Sequence, residues 1–247
     1  MAALGGKKVA VIGGSRGVGR SMVLAGLRQG ARVLAVARQQ EPLKRLAEEA
    51  PGVEVLALDA ADEAAPARVI DAFAPDILVV AAGAFPPVRP LHEQSWQEFA
   101  VNWEADVRIA FQFCKAALSR PLPAGSAVIL VASGAGLAGS PISGGYAGAK
   151  RTQMFIANYS QKESDRLGLG LKFAALAPRI MPDSELGRHA VAGYARYLGI
   201  SEADFVKGMA APPTAQDVAA AALELIATDR FKGQAFIVSG AGLEAVA

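Results

Sequence analysis

Cysteine is almost absent from this chain, which has a single one, Cys114, among 247 residues. One cysteine cannot form an intrachain disulfide, so we expect a reducing compartment and a cytoplasmic protein. Histidine is also scarce: His92 and His189 are the only two, and neither belongs to a cluster with metal-ligand spacing. The sequence therefore gives no reason to expect a metal site.

Long apolar runs and an excess of either charge sign are lacking as well. The longest apolar run, Asp76–Gly83, has the length of a strand and not of a membrane span. The start, Met1–Gly6, lacks the charged and then apolar pattern of a signal peptide. The net charge is +2, with acids and bases interspersed, which favours neither nucleic acid nor a membrane as a partner.

Short apolar segments alternate with segments of helical spacing, and hydrophobic residues make up 52% of the chain, enough for a sizeable core. Strands are predicted at Lys8–Gly14, Arg32–Arg38, Val53–Asp59, Ile77–Ala82, Ala127–Ala132, Leu171–Ala177 and Ala235–Val238. Helices are predicted at Ser15–Gly30, Glu41–Ala50, Asp62–Phe73, Ser95–Leu118, Gly145–Leu167 and Thr214–Ala227, with Ser95 and Thr214 as N-caps. This alternation predicts a doubly wound, mostly parallel seven-stranded α/β sheet in one domain spanning 1–247. The segment 183–213 breaks the rhythm, and we expect it to form a small helical flap over a substrate.

A glycine-rich segment joins the first predicted strand to the first helix. It consists of Gly13, Gly14, Ser15, Arg16, Gly17, Val18 and Gly19. Glycines permit a tight turn, and the backbone N–H groups of a helix N-terminus attract the pyrophosphate of a dinucleotide. An ordinary glycine-rich turn is the alternative, which the strand–loop–helix context disfavours.

Two arginines bear on which nicotinamide cofactor would bind. A protein that prefers NAD(H) usually has an acid near the end of the second strand, where this chain has Arg38. Arg16 adds a second cation within the glycine loop. Guanidinium groups match the geometry of a 2′-phosphate, so NADP(H) is favoured over NAD(H). Two solvated surface arginines are the alternative.

Tyr146 and Lys150 are four residues apart, which brings both side chains to one face of a helix. A free tyrosine keeps its proton at neutral pH, but a nearby ammonium and a bound nicotinamide favour tyrosinate. Tyr146 can then exchange a proton with a carbonyl or alcohol oxygen. Ser133 follows a predicted strand and would hydrogen-bond the same oxygen. As a hydrolase nucleophile, Ser133 would lack the G-x-S-x-G elbow and an associated histidine.

The glycine spacing, together with Ser133 and the Tyr146–Lys150 pair, resembles the short-chain dehydrogenase/reductase family over nearly the whole chain. The resemblance implies a reversible carbonyl reductase whose subunits form a homotetramer or homodimer through the two long helices. It also implies that Lys150 binds the nicotinamide ribose, and that Asn102 bends the long helix and holds a water linking Lys150 to solvent. An exposed polar helix residue is the alternative interpretation of Asn102.

The same resemblance predicts further cofactor contacts at the ends of later strands. Asp59 and Ala60 would lie near the adenine, although Asp59 could equally cap the helix that follows. Small residues at Ala82 and Gly83 would let the ribose approach, and the backbone near Pro178 and Ile180 would meet the carboxamide. The apolar stretch 138–142 is expected to line the substrate pocket, and the alanine-rich lining favours an apolar substrate.

Several positions depart from the family pattern, and they keep another class of function open. The departures are Ile12, Ala81, Arg179 and Ser239. They motivate a competing hypothesis, a cofactor-binding regulator or sensor that keeps the fold without useful catalysis. The intact Ser133, Tyr146 and Lys150 set argues against it. A dehydratase or epimerase using the same cofactor is a third possibility that no residue positively favours.

Overall fold

The computed structural model describes residues 4–120 and 122–246. The predicted start Met1–Gly6 and the predicted domain 1–247 therefore lie partly outside the described residues. The strands are β1 (Lys8–Ile12), β2 (Arg32–Ala37), β3 (Glu54–Ala57), β4 (Ile77–Val80), β5 (Ala127–Val131), β6 (Lys172–Pro178), β7 (Ala235–Ser239) and β8 (Gly242–Ala245).

These strands form one sheet in the order β3-β2-β1-β4-β5-β6-β7-β8. The first seven pair in parallel, and β8 pairs antiparallel with β7. The predicted α/β class is confirmed, but the sheet has an eighth strand in addition to the seven expected. Sequence reasoning missed β8 because it is a short, largely exposed edge strand without the β-branched run of the central strands.

Helices cover both faces of the sheet. They are α1 (Gly17–Arg28), α2 (Gln40–Glu49), α3 (Ala65–Phe73), α4 (Trp96–Asn102), α5 (Arg108–Ser119), α6 (Ala135–Ala138), α7 (Gly144–Arg166), α8 (Glu185–Leu198), α9 (Glu202–Lys207) and α10 (Ala215–Thr228). The helices α1, α2 and α10 bury one face, and α3, α5 and α7 bury the other. The strands β4 and β5 are therefore buried at every position, as expected for central parallel strands.

The predicted long helix 95–118 is interrupted. Between α4 and α5, the five residues Trp103–Val107 form a turn of π-helix, which follows directly after Asn102. A π turn inserts an extra residue into the helical ladder and shifts the side chains that follow it. The sequence carries no proline or glycine there to signal the break, so periodicity predicts an unbroken helix, whereas the family resemblance implies a bend at Asn102, where the π turn begins.

The helix caps follow the sequence closely at two of the predicted positions. Ser95 and Thr214 each form a capping box, with Glu98 and Asp217 as the reciprocal partners. The helix predicted from Asp62 begins instead at Ala65, because the Asp62 carboxylate accepts the Ala64 N–H in a turn.

The segment predicted as a flap contains α8 and α9, between β6 and α10. Ser184 and Ser201 cap these two helices. Within the described ranges, no helix is both long and apolar enough to cross a membrane.

The close crossing of α4 over α7 depends on Gly145. A Cβ at that position would lie 1.9 Å from the Phe99 carbonyl oxygen, a backbone atom that cannot rotate away. Gly145→Ala should therefore lower the free energy of unfolding by about 1–3 kcal/mol, measured by urea denaturation with circular dichroism.

Gly148, in the same helix, is the matched control. A Cβ there would be 3.5 Å from the Trp103 ring, an ordinary contact. Gly148→Ala should leave stability unchanged or raise it by up to about 1 kcal/mol. Equal losses in both variants would contradict the close packing described here.

Candidate active site

A cavity of about 950 Å³ opens at the carboxyl ends of the parallel strands. This is where ligands bind in open α/β sheets, because the loops from both halves of the sheet diverge there. The cavity wall includes all of the predicted site residues except Asn102: Gly13, Ser15, Arg16, Gly17, Val18, Gly19, Arg38, Asp59, Ala60, Ala82, Gly83, Ser133, Tyr146, Lys150, Pro178 and Ile180.

The glycine loop at one end of the cavity is packed too tightly for side chains at two positions. Gly13 has a positive φ of +89°, and a Cβ there would lie 2.7 Å from the Ala82 nitrogen. A Cβ on Gly19 would lie 2.1 Å from the Gly13 carbonyl oxygen. No side chain caps the N-terminus of α1 at Arg16. The first-turn N–H groups of α1 therefore face the cavity as an anion-binding cradle.

The two arginines singled out in the sequence have different surroundings. The Arg16 guanidinium lies 3.1 Å from the Glu185 carboxylate at the start of α8 and 5.1 Å from the centre of the Phe85 ring. Arg38 is exposed at the end of β2 and lines the cavity. A smaller hollow of about 310 Å³ adjoins the loop, and Arg16, Arg20 and Arg45 line it. Arg20 pairs there with Glu49 and Arg16 with Glu185, so the positive charge where β2 and the glycine loop meet comes mainly from Arg38 and Arg45.

The structure contradicts one alternative for Asp59, which follows β3, namely that it caps the next helix. The Asp59 carboxylate accepts the Ala61 N–H at 3.0 Å, so it stabilises a turn and does not cap α3, which begins at Ala65. Gly83 leaves no room for a side chain, since a Cβ there would lie 2.7 Å from both carboxylate oxygens of Asp106. The small residues after β4 are thus required by packing within the protein.

Ser133, Tyr146 and Lys150 all line this cavity. Ser133 follows β5, where its Oγ accepts the Ala135 N–H at 3.2 Å. Tyr146 and Lys150 are one turn apart on α7, and the Lys150 Nζ lies 5.5 Å from the centre of the Tyr146 ring. This arrangement can present a hydroxyl donor and a phenol to one oxygen atom, with a cation behind the phenol.

Lys150 is nearly inaccessible, with a side chain 8% exposed, and protein atoms surround its ammonium. It donates to the Val131 carbonyl at 3.1 Å and to the Gln153 Oε1 at 3.0 Å. The Asp106 Oδ2 lies at 3.0 Å and completes a buried ion pair. The expected bond to a nicotinamide ribose would therefore require one of these three acceptors to be exchanged.

Burial alone would lower the pKa of Lys150, but the Asp106 carboxylate and the Tyr146 phenol outweigh it and raise the pKa above its ordinary value. A raised lysine pKa adds stability that is fully present below the pKa of the unfolded chain. That stability is lost only as the pH rises through the folded-state pKa, well into the alkaline range.

Asn102 and Asp106 hold the backbone just beyond β4. The Asn102 Nδ2 donates to the Ala84 carbonyl at 2.9 Å and to the Asp106 Oδ1 at 3.2 Å. The same Oδ1 accepts the Ala84 N–H at 2.9 Å. Both backbone groups of Ala84 are thereby hydrogen-bonded. These bonds hold the segment beyond β4, where the side chain of Ala81 can form no hydrogen bond. The exposed-residue interpretation of Asn102 is wrong, since it is buried, and its relay water stays a prediction.

Sequence reasoning missed Asp106 and Gln153. Asp106 stands four residues after Asn102, a helical spacing that could have suggested a shared face. The π turn changes that face, however, so the spacing alone would not have predicted the contact with Lys150. Gln153 carried no signal, because an amide three residues after a lysine usually lies on a solvated helix face.

A second group of hydroxyls lies on the side of α8, where Ser143 and Tyr194 line the cavity. The Ser140 Oγ lies 2.7 Å from both the Ser143 Oγ and the Tyr194 hydroxyl. Tyr194 stacks on Phe205 of α9, with ring centres 5.4 Å apart. Within the stretch 138–142, Ala138, Gly139 and Ile142 line the cavity, and their contact with a substrate stays a prediction. It is joined by hydroxyls that the apolar interpretation left out.

The segment after β6 keeps its backbone in register despite the missing glycine. Pro178 accepts the Gly134 N–H at 2.8 Å, and the Arg179 N–H donates to the Val238 carbonyl at 3.0 Å. The side chain of Arg179 is exposed at the cavity rim. The departure at Arg179 therefore does not displace the strand end.

Other reaction chemistries find little support in the described residues. Cys114 is buried, and burial raises the pKa of its thiol to about 12. His92 pairs with Glu93, and His189 contacts the Pro86 carbonyl, so Ser133 has neither histidine as a base. Among residues 4–120 and 122–246, no three histidine, cysteine or acidic side chains gather as a metal site.

The chain is similar to known reductases. Residues 7–189 match the family described as short chain dehydrogenase. L-xylulose reductase of Cavia porcellus is 34% identical over 134 residues, 53% of this chain and 54% of that protein. D-erythrulose reductase of Gallus gallus is 31% identical over 132 residues, 52% of this chain and 53% of that protein. Carbonyl reductase [NADPH] 2 of Sus scrofa is 32% identical over 107 residues, 43% of this chain and 44% of that protein.

The matched segment spans about half the length of these curated relatives or slightly less. Among solved structures, a short chain dehydrogenase from Mycobacterium avium aligns with a TM-score of 0.77 at 20% identity. That alignment covers 99% of this chain and 86% of the other, and it supports the fold alone. The family match extends over most of the chain, from β1 into α8, and includes the glycine loop, Ser133, Tyr146 and Lys150. On this evidence the chain belongs to the short-chain dehydrogenase family of oxidoreductases.

Proposed function

We propose that this protein is an NADP(H)-dependent carbonyl reductase that works reversibly on a carbonyl compound and its secondary alcohol. The observation that carries the proposal is the shared cavity. Ser133, Tyr146 and Lys150 line the same cavity as the glycine loop. A protein that only bound the cofactor would have no need for the buried cation behind the phenol.

The proposed chemistry assigns a separate role to each side chain. Ser133 hydrogen-bonds the carbonyl oxygen and orients it toward the phenol of Tyr146. Tyr146 donates its proton to that oxygen in the reduction direction and takes it back in the oxidation direction. Lys150 keeps a positive charge 5.5 Å from the Tyr146 ring, which stabilises the phenolate left after proton donation. A bound nicotinamide supplies or accepts the hydride.

The residues present fit a dinucleotide. A Cβ on Gly13 or Gly19 would collide with neighbouring backbone, which keeps the loop bare enough for a phosphate to approach. The cations Arg16, Arg38 and Arg45, around the loop and the adjoining hollow, favour a phosphorylated ribose. The relative named carbonyl reductase [NADPH] 2 points the same way.

The substrate we propose is a hydroxylated ketone. Ser143 and Tyr194 offer hydroxyls on the α8 side of the cavity, where they can bond substrate hydroxyl groups, and Ser140 accepts from both and holds them in place. Two relatives are named for reduction of L-xylulose and D-erythrulose, which are both polyhydroxy ketones. In this proposal, α8 and α9 form the flap that encloses the substrate.

Tyr146→Phe should lower kcat by at least about 100-fold, because the proton donor is removed while the packing of the ring is kept. NADPH affinity, measured by calorimetry, should stay within about threefold. Tyr159→Phe is the matched control on the same helix, since Tyr159 is 60% exposed and stacks on Phe155. Turnover near the wild-type level in Tyr146→Phe would remove Tyr146 from the proposed role.

Arg38→Asp should weaken NADPH binding by about 10- to 100-fold, since it removes a charge-assisted bond to the 2′-phosphate and adds repulsion. NADH binding should be nearly unchanged, so the preference moves toward NADH. Arg68→Asp is the control, because Arg68 is an exposed arginine on α3 away from the cavity wall. An unchanged ratio of the two affinities in Arg38→Asp would overturn the role of Arg38.

The substrate class is tested with two ketones that differ in their hydroxyl groups. L-xylulose should show a kcat/KM at least about 100-fold above that of 2-pentanone, because hydroxyls in the cavity reject a ligand that leaves them unpaired. Tyr194→Phe should reduce this ratio several-fold through a higher KM for L-xylulose. A preference for 2-pentanone would instead favour the apolar pocket inferred from the alanine-rich sequence.

A further inference from the structure

The Lys150 ammonium has no free N–H group in this structure. Its three donors are matched by three protein acceptors, the Val131 carbonyl, the Gln153 amide oxygen and the Asp106 carboxylate, all at 3.0–3.1 Å. An ammonium on a four-carbon stem is ordinarily mobile. Three acceptors in fixed positions hold its charge at one point beside Tyr146.

Asp106 differs from the other two acceptors because it carries a charge and cannot turn away. Its side chain is 1% exposed. Its other carboxylate oxygen accepts the Ala84 N–H and the Asn102 amide, and Gly83 packs directly against both oxygens. The π turn directs the carboxylate inward. The carboxylate is therefore built into the protein and does not depend on a ligand for its position.

A buried ammonium is unstable unless a negative charge accompanies it, since burial disfavours the charged form. The titratable groups that face Lys150 are Asp106 from the π turn and Tyr146 from its own helix. The other packed elements present neutral groups, namely the Val131 carbonyl of β5, Gln153 of α7 and Asn102 of α4. On α5, the buried Cys114 thiol forms a hydrogen bond with Ser160. The side chain of Arg179, after β6, is exposed at the cavity rim.

We propose that Asp106 is a positioning residue for the reaction, which keeps the Lys150 ammonium charged and fixed beside Tyr146 up to alkaline pH. The inference rests on the proposed function, because it takes Lys150 to act on Tyr146. Asp106 touches neither the substrate nor the reacting atoms in this account. It acts through Lys150, with Gln153 as a neutral second holder.

Loss of the Asp106 carboxylate should shift the alkaline limb of the activity in the same direction by either of two routes. Without the carboxylate, desolvation makes Lys150 lose its proton at lower pH, which removes the charge that supports Tyr146. If Lys150 instead stays charged, its uncompensated field favours tyrosinate at lower pH, which removes the proton donor. Both routes move the alkaline limb of the reductase activity toward lower pH.

Asp106→Asn separates this role from a structural one. The amide oxygen can still accept the Ala84 N–H, so the backbone beyond β4 keeps its bond while the charge is lost. The first measurement is an NMR titration of 13C-labelled lysine side chains in the apoprotein, with Lys150→Met to assign the Lys150 signal. In Asp106→Asn the Lys150 midpoint should fall by at least about one unit, a tenfold loss of proton affinity.

The second measurement is the pH profile of kcat for reduction. The alkaline limb in Asp106→Asn should move to lower pH by a similar amount. Glu104→Gln is the matched control, since Glu104 belongs to the same π turn but is exposed and pairs with Arg108. It should leave both the Lys150 midpoint and the limb unchanged. An unchanged Lys150 midpoint in folded Asp106→Asn would overturn the proposal.

If Asp106→Asn fails to fold, a double variant that moves the negative charge to position 153 tests the proposal. In Asp106→Asn/Gln153→Glu, a carboxylate replaces the amide that lies 3.0 Å from the Lys150 Nζ. This variant should fold and return the Lys150 midpoint most of the way to the wild-type value. A folded double variant with a Lys150 midpoint below that of ordinary lysine would contradict the charge argument.

The two proposals can fail separately. The titration of Lys150 needs no activity, so it reports on Asp106 even if the wild-type protein reduces no carbonyl compound. Suppose that the wild-type protein reduces a ketone and that the alkaline limb of the kcat profile is unshifted in Asp106→Asn. This result would support the proposed function and contradict the role of Asp106.

Discussion

The buried pair of Lys150 and Asp106 is the interaction on which the rest of the site depends. A lone ammonium at this depth would be costly, and so would a lone carboxylate, but each is bonded at every polar atom. The pair joins three elements, because Lys150 comes from α7, Asp106 from the π turn, and Ala84 from the end of β4. The position of Tyr146 against the cavity therefore follows from a charge balance made inside the protein.

The parallel sheet explains why these elements meet. Parallel strands present all their carboxyl ends at one edge, and the short connections there carry the glycine loop, Ser133 and the segment after β6. The close approaches at Gly19 and Gly145 fix α1 on its own loop and α7 on α4. The glycine loop, the Ser133, Tyr146 and Lys150 side chains and the start of α8 therefore line one cavity.

Much of this could be predicted from the sequence, for identifiable reasons. Periodicity and capping residues predict most elements, because strands buried on both faces and capped helices leave local signals, as at β4 and Thr214. The spacing of Tyr146 and Lys150 predicts a shared helix face. Periodicity could not predict the π turn after Asn102, because it leaves no breaker residue, and only the family resemblance implied a bend there. Asp106 was missed because of the π turn, and Gln153 because an amide three residues after a lysine usually lies on a solvated helix face. The strand β8 was missed because a largely exposed edge strand has weak periodicity.

The departures from the family pattern bear on whether the site is catalytic or only binds a cofactor. The structure shows hydrogen bonds to the backbone of Ala84 and a regular strand end at Arg179, so the departures at Ala81 and Arg179 do not disrupt the site.

The central claim, that hydride passes between nicotinamide and a carbonyl carbon here, is tested most directly by isotope transfer. The wild-type protein would be incubated with L-xylulose and NADPH deuterated at C4 on either face, and the product analysed by mass spectrometry. The account predicts one deuterium on the new carbinol carbon from one of the two cofactors. Tight NADPH binding without deuterium transfer from either cofactor to this or any other hydroxylated ketone would contradict it and favour a cofactor-binding regulator.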